Sequence, residues 1–197
     1  MGVAEEIIRA VEARISKNDY ETAVAFDIDG NVVFEKEGDS KEVGYTLEEL
    51  SKLNGCIVTH NHAYDKDWKY FGIKNTSAFS SDDLLFAYQH ELYETRMVIG
   101  NETHIFRWNN PDKKKAEIFI YKMILLEDET NKNIETIATD AREAVKKSIA
   151  DPTQENEDSM DKVVYKFYKE QQKQADIINN YIANNQHVGF VFRKECV

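Results

Sequence analysis

Cysteine, long apolar runs and positive charge are all scarce in this chain, and each scarcity excludes a class of protein. The two cysteines, Cys56 and Cys196, have no Cys-x-x-Cys spacing, which argues against a thiolate metal site and against a disulfide scaffold. No apolar run is long enough to cross a bilayer, and residues 1–16 carry too many charges for a secretory signal. We therefore expect a soluble protein in the reducing environment of the cytoplasm.

The shortage of positive charge bears on the kind of partner. Lysine and arginine together number 25 against 36 aspartates and glutamates, and the resulting net charge of −11 is spread over both halves of the chain. Such a field repels phosphate backbones, so we do not expect binding to nucleic acid. A chain of 197 residues with 42% apolar composition is long enough for one well-packed domain.

The first half of the chain predicts a mixed α/β core. Apolar residues at three- and four-residue spacing predict an amphipathic N-terminal helix. Its apolar stripe consists of Val3, Ile7, Ala10, Val11 and Ile15. The turn residues Asp29-Gly30 predict a β-hairpin over residues 20–37, and Thr46 with Glu49 predicts the start of a short helix before the buried strand CIVT at 56–59. A helix from Ser80 and a hairpin turning at Gly100 then complete the core.

Helical periodicity dominates from Pro111 onward. It predicts two long helices, 112–150 and 157–184, separated by a break at Pro152, although the run EIFIYKMILL is also compatible with a strand. Alternation in HVGFVFRKE predicts a last strand. We therefore divide the chain into a core, 1–110, and a helical extension with a final strand, 111–197. The long helices are expected either to pack on the core or to form the surface of a homo-oligomer.

Two histidines follow the strand CIVT. Alternate residues of a strand point to the same side, so His60 and His62 are expected to project together and can share a metal ion. A lone His-x-His is common, and a third ligand is needed. The nearest downstream candidate is Asp83, three residues after Ser80, although a serine followed by an acidic residue at this spacing is also how many helices begin.

The order His-x-His, spacer, Ser-x-x-Asp resembles the motif of the JAB/MPN (JAMM) metalloenzyme family. The segments YETAVAFDIDGNVV, IVTHNH and FSSDDL resemble its RadC-like and phage-head-associated branches most, over residues 20–107. The resemblance implies a JAB/MPN-like, cytidine-deaminase-like α/β fold, with a mixed sheet flanked by helices. It also implies a zinc-dependent hydrolase that cuts amide or isopeptide bonds in a peptide or a protein conjugate.

The resemblance also implies a role for each residue of the motif. His60, His62 and Asp83 would bind Zn²⁺, Glu21 would act as the general base, and Ser80 would support the oxyanion. This chemistry is coherent because zinc lowers the pKa of a bound water to about 7, which makes hydroxide available at neutral pH. Glu35 and Glu37 are fallback candidates for the base.

The chain departs from the family pattern in two ways. Ala63 stands where the family usually has proline, and the spacer before Ser80, residues 63–79, is much longer than usual. The aromatic residues of this insertion either form a lid or partner surface beside the metal or pack on one another. They are Tyr64, Trp68, Tyr70 and Phe71.

Two other functions stay open. A non-catalytic, acidic JAB-like protein that binds a protein partner is compatible with the departures and the negative charge. The stretch AVAFDIDGNVV also resembles the first motif of haloacid-dehalogenase-type phosphatases, in which Asp27 and Asp29 would hold magnesium and phosphate. Against this alternative, Asn31 replaces the usual threonine, and a return strand follows where that fold needs a helical crossover.

Overall fold

The protein has a mixed α/β fold in which one sheet carries helices on both faces. A computed structural model describes residues 2–39, 42–62 and 77–196. The aromatic residues between 64 and 71, predicted to form a lid or a self-packed loop, lie outside these residues. Among the described residues the helices are α1 (Val3–Ile15), α2 (Leu47–Leu50), α3 (Ser81–Gln89), α4 (Lys113–Ala150) and α5 (Gln154–Asn184), and a short 3-10 helix spans Gln186–Val188.

Six strands form a single sheet in the described part of the chain. They are β1 (Thr22–Phe26), β2 (Val32–Glu37), β3 (Ile57–Asn61), β4 (Glu94–Ile99), β5 (Glu102–Trp108) and β6 (Phe190–Cys196). Their order across the sheet is β2-β1-β3-β4-β5-β6. The pair β3 and β4 is parallel and the other pairs are antiparallel, which confirms both predicted hairpins.

The two faces of the sheet have separate hydrophobic cores. Helix α1 covers one face, where Ile8 packs with Val24 and Phe26. Helices α3, α4 and α5 cover the other face, where Met97 and Phe106 are fully buried. His60 belongs to this second face because it is in register with Met97 of β4, which in turn is opposite His104 of β5.

The predicted apolar stripe of α1 is partly wrong. Ile7 is 40% exposed, whereas Ile8 and the charged residue Glu12 are fully buried against the sheet. The reason is Arg96 on β4, which is buried under α1 and whose guanidinium lies 3.4 Å from the Glu12 carboxylate. A buried cation requires a nearby anion, so the helix turns a carboxylate toward the sheet.

Both long C-terminal helices are confirmed, and EIFIYKMILL is helical throughout. Asp112 caps α4 by accepting a hydrogen bond from the Lys115 amide. Thr153 caps α5, which begins three residues earlier than predicted because its acidic first turn is favourable next to the helix dipole. The predicted last strand is confirmed as β6, which pairs with β5 along its whole length. None of the described helices combines the length and apolar composition that a membrane crossing requires.

Candidate metal centre

The two histidines sit at the end of β3, in the middle of the sheet. His60 is the next-to-last residue of the strand, and the amide of His62, just beyond its end, donates to the carbonyl of Val98 on β4. This hydrogen bond keeps the chain extended, so both rings project from the same face with centroids 5.2 Å apart. The alternation predicted for His-x-His is therefore confirmed.

Asp83 reaches the histidines from the first turn of α3. Ser80 and Asp83 form the expected capping box: the Ser80 hydroxyl accepts from the Asp83 amide, and Oδ2 of Asp83 accepts from the Ser80 amide and hydroxyl at 2.8 Å each. The hydrogen bonds of the cap thus involve one carboxylate oxygen of Asp83 and leave its other oxygen available to a metal ion. That second oxygen, Oδ1, lies 3.4 Å from Nε2 of His60.

The three side chains have the composition and spacing of a metal site. One donor atom from each of His60, His62 and Asp83 lies within 4.8 Å of the other two. Zinc bonds of 2.0–2.2 Å in a tetrahedron place donors roughly 3.4 Å apart, which is the separation of Asp83 Oδ1 and His60 Nε2. Nε2 of His60 is buried and has no hydrogen-bond partner among the described residues. Because buried polar atoms normally have a partner, this lone pair is a candidate ligand for a metal ion.

The electrostatics of the cluster favour the protonation states that bind a metal. Burial and the neighbouring His60 ring lower the pKa of His62 to about 4, so this imidazole is neutral at pH 7. Burial opposes ionisation of Asp83, but the two imidazoles and the hydrogen bonds from Ser80 outweigh it and lower the pKa of the carboxyl. Neutral imidazole and ionised carboxylate are the forms that coordinate zinc.

Glu21 lies beside this cluster, immediately before β1. It lines a cavity of about 320 Å³ together with His60, Ser80 and Asp83. Burial, followed by the negative charge of Asp83, raises the pKa of Glu21 to about 7. A carboxylate with a pKa near neutrality is suited to exchange protons at physiological pH.

Asn61, between the two histidines, fixes the backbone on either side of Glu21. Its side chain is fully buried, accepts from the amide of Thr22 at 2.7 Å and donates to the carbonyl of Tyr20 at 2.9 Å. These bonds attach the start of β1 to the end of β3. Sequence reasoning missed this role, because a polar residue between two histidines carries no local signal of what it bonds.

The fallback bases lie on the wrong side of the sheet. Glu35 and Glu37 of β2 are in register with Val24 and Thr22, on the face opposite His60. The Glu35 carboxylate also accepts two hydrogen bonds of 2.7 Å from the guanidinium of Arg14 in α1. Alternation along the strands therefore excludes both carboxylates from the cavity, whereas Glu21 lines it together with His60.

The aspartates of the phosphatase-like stretch form a turn. Oδ1 of Asp27 accepts from the amides of Asp29 and Asn31, and Oδ2 accepts from the Asn31 side chain. These bonds lower the pKa of Asp27, which is half-buried. Strand β2 returns directly after the turn, with no helix between β1 and β2. This arrangement is typical of an aspartate that stabilises a turn, and it does not favour Asp27 as the nucleophile of a phosphatase.

Four further residues near the centre were not singled out from the sequence. Ser77 contacts His62, Asn179 of α5 contacts Ser77, and Glu127 of α4 contacts the start of α3. His104 is fully buried on the same face as His60, and burial followed by the charge of Lys194 lowers its pKa to about 4. His104, Glu127 and Asn179 lie more than twenty residues from the Ser-x-x-Asp motif, and no periodicity marks any of the four residues.

Comparisons with known proteins leave the site to be interpreted on its geometry. Searches against protein-family models, curated proteins and solved structures found no significant match to this chain.

Proposed function

We propose that this protein is a zinc-dependent hydrolase of amide or isopeptide bonds, built on a JAB/MPN-like core. The observation that carries the proposal is the convergence of His60, His62 and Asp83, which come from a strand end and a helix start more than twenty residues apart in sequence. Two imidazoles and one carboxylate are the ligand type of catalytic zinc sites, which keep a fourth position open.

The residues around the ligands support a hydrolytic role. When bound, zinc supplies a Lewis acid that activates water toward attack on a carbonyl carbon. Glu21 would accept a proton from the attacking water and deliver it to the leaving amine nitrogen. The Ser80 hydroxyl would donate to the developing oxyanion. To do so it would give up its hydrogen bond to Oδ2 of Asp83, which would still accept from the Ser80 amide.

The cavity also bears on the choice of substrate. Its lining includes four carboxylates: Glu21, Glu42, Asp82 and Asp83. Val58, Tyr45 and Phe86 add apolar walls, and the rings of Tyr45 and Phe86 stack at 5.1 Å. A peptide or protein conjugate with neutral or basic residues around the scissile bond suits this lining better than an acidic one.

Metal analysis of the purified protein tests the proposal. We expect about one zinc per chain by mass spectrometry after reconstitution and removal of excess metal. His62→Ala and Asp83→Asn should each lose bound zinc, because a catalytic site has only three protein ligands. His187→Ala is the matched control, since His187 is exposed and lies in the 3-10 helix after α5, and it should bind zinc like the wild type.

Other outcomes would point to the two alternatives. A protein that binds no zinc and co-purifies with a protein partner would support the non-catalytic binding role. Magnesium-dependent phosphatase activity that disappears in Asp27→Asn would support the phosphatase alternative instead.

A further inference from the structure

The metal-binding histidine His62 is connected to the C-terminal helix α5 through Ser77. Nδ1 of His62 lies 2.6 Å from Oγ of Ser77. The Ser77 carbonyl accepts a hydrogen bond of 2.9 Å from Nδ2 of Asn179. Asn179 is 5% exposed, so its side chain is held inside the packed helix pair.

This connection determines which ring nitrogen of His62 is available to bind a metal ion. Ser77 occupies Nδ1, and Nε2 is the nitrogen left for a cation. The Ser77 hydroxyl lies 3.5 Å from the carbonyl of Ala78, to which it donates, so its oxygen can accept a hydrogen bond from the Nδ1–H group of His62 at the same time. A metal-binding histidine usually donates its second N–H in this way, which fixes both the tautomer and the ring orientation.

A second contact from the extension reaches the helix that carries Asp83. The Glu127 carboxylate of α4 accepts from the Ser81 amide at 2.7 Å and from the Ser81 hydroxyl at 2.5 Å. Ser81 is the first residue of α3 and Asp83 is the third. A carboxylate at this position also interacts favourably with the helix dipole, so it stabilises the first turn in place.

We propose that the C-terminal helices position the metal ligands, with Asn179 acting on His62 through Ser77 and Glu127 acting on Asp83 through the start of α3. Ser77, Asn179 and Glu127 are thus positioning residues of the site. They lie outside the Ser-x-x-Asp and His-x-His motifs, and two of them lie in the extension. The inference rests on the proposed function, since it assumes that the cluster binds zinc.

Zinc affinity of full-length variants tests this inference, measured by competition with a chromogenic chelator. Ser77→Ala and Asn179→Ala should weaken zinc binding by about 10–100-fold, the usual effect of removing a partner of a ligand. Glu127→Ala should weaken it as well. The double variant Ser77→Ala/Asn179→Ala should lose less than the product of the single losses, because both residues act on the same histidine.

Two matched variants separate positioning from general stability. Gln174→Ala removes the hydrogen bonds that α5 donates to Thr130 and Asn131 of α4, at 2.9 and 2.7 Å, but none to the site, so zinc affinity should stay within about twofold of wild type. Ser77→Thr retains the hydroxyl and should restore most of the affinity lost in Ser77→Ala. The visible spectrum of the cobalt-substituted protein should shift in Ser77→Ala and stay like wild type in Gln174→Ala.

The outcomes distinguish failure of this inference from failure of the proposed function. Wild-type zinc affinity in Ser77→Ala and Asn179→Ala would overturn the positioning role and leave the metal site standing. Absence of zinc from the wild type would overturn both. If Asn179→Ala fails to fold, the comparison of Ser77→Ala with Ser77→Thr decides, because Ser77 lies in a partly exposed segment before α3.

Discussion

At the scale of single residues, neighbouring groups determine what each carboxylate of the cavity can do. Asp83 receives two hydrogen bonds on Oδ2 and lies beside two imidazoles, so it stays ionised and can bind a cation. Burial and repulsion from Asp83 instead raise the pKa of Glu21. Two carboxylates with pKa values pushed apart by their surroundings are typical of a ligand and a proton carrier.

This difference predicts separate effects for Glu21. We expect Glu21→Gln to bind zinc with wild-type stoichiometry and to lose about 10²–10⁴-fold in hydrolysis rate, the usual contribution of a general base. Zinc analysis and turnover of a fluorogenic peptide panel measure the two properties. Glu37→Gln, on the opposite face of the sheet, is the control and should hydrolyse normally. Undiminished hydrolysis by Glu21→Gln would show that the assigned base is wrong.

At the scale of elements, buried charges hold α1 against the sheet. Arg96 of β4 is 2% exposed and bonds to Glu94 at 2.6 Å and to Glu5 of α1 at 2.7 Å. Burial raises the pKa of Glu12, and the charges of Arg96 and Arg9 oppose that effect. Removal of Arg96 leaves the buried carboxylates of Glu12 and Glu94 with only the longer contacts to Arg9, at 3.3 Å, and to Arg193, at 3.6 Å. This approaches the costly case of a buried charge that has lost its partner.

We therefore expect Arg96→Met to lower the free energy of unfolding by up to about 3–5 kcal/mol, because Glu12 and Glu94 would stay buried after losing their buried cation. Urea unfolding followed by circular dichroism measures the change. Arg14→Met is the matched control: Arg14 pairs with Glu35 between the same two layers, but both side chains are more than one-third exposed, and the expected loss is about 0–1 kcal/mol. Similar losses in both variants would contradict this account.

At the scale of the whole molecule, the two parts of the chain share one sheet and the hydrophobic core on one of its faces. Strand β6 comes from the end of the chain and pairs with β5 from Glu102 to Trp108. Phe190 packs against Phe106 and Phe119, with ring centroids 4.6 and 4.9 Å apart. The division of the chain at residue 110 stays a prediction. It would separate β5 from β6, two strands that are hydrogen-bonded neighbours in the sheet.

This architecture predicts that the fragment 1–110 does not fold cooperatively by itself. It would expose core side chains such as Met97 and Phe106, each contributing about 1.5–3 kcal/mol when buried. Circular dichroism during urea unfolding should show no sharp transition, and co-expression with fragment 111–197 should restore one. A fragment 1–110 that unfolds cooperatively would instead establish an independent core.

Oligomeric state also belongs to this scale and stays a prediction. Four apolar side chains in the first half of α4 are exposed at helical spacing: Ile118, Tyr121, Ile124 and Leu125. They lie on the outer side of the helix, whereas Phe119 and Met123 face the core. The α4 and α5 helices thus pack on the sheet and still leave an apolar stripe available to a second copy.

Sequence alone determined most of the local structure and the chemistry of the motif. Periodicity, caps and turn residues located the helices and hairpins, because these signals act over a few neighbouring residues. The alternation of a strand placed His60 and His62 on one side, and the capping box placed Asp83 at a helix start. The buried face of α1 was predicted wrongly, because an apolar pattern cannot indicate that Glu12 pairs with a buried arginine.

Only the tertiary structure decided which of these residues meet. It brought Asp83 to the histidines, placed Glu21 in the cavity and excluded Glu35 and Glu37 by strand register. It also brought Asn179 and Glu127 from the distant helices to the site. The physical reason is that contacts between distant residues depend on how the whole chain packs, whereas the signals read from sequence report the preferences of short segments.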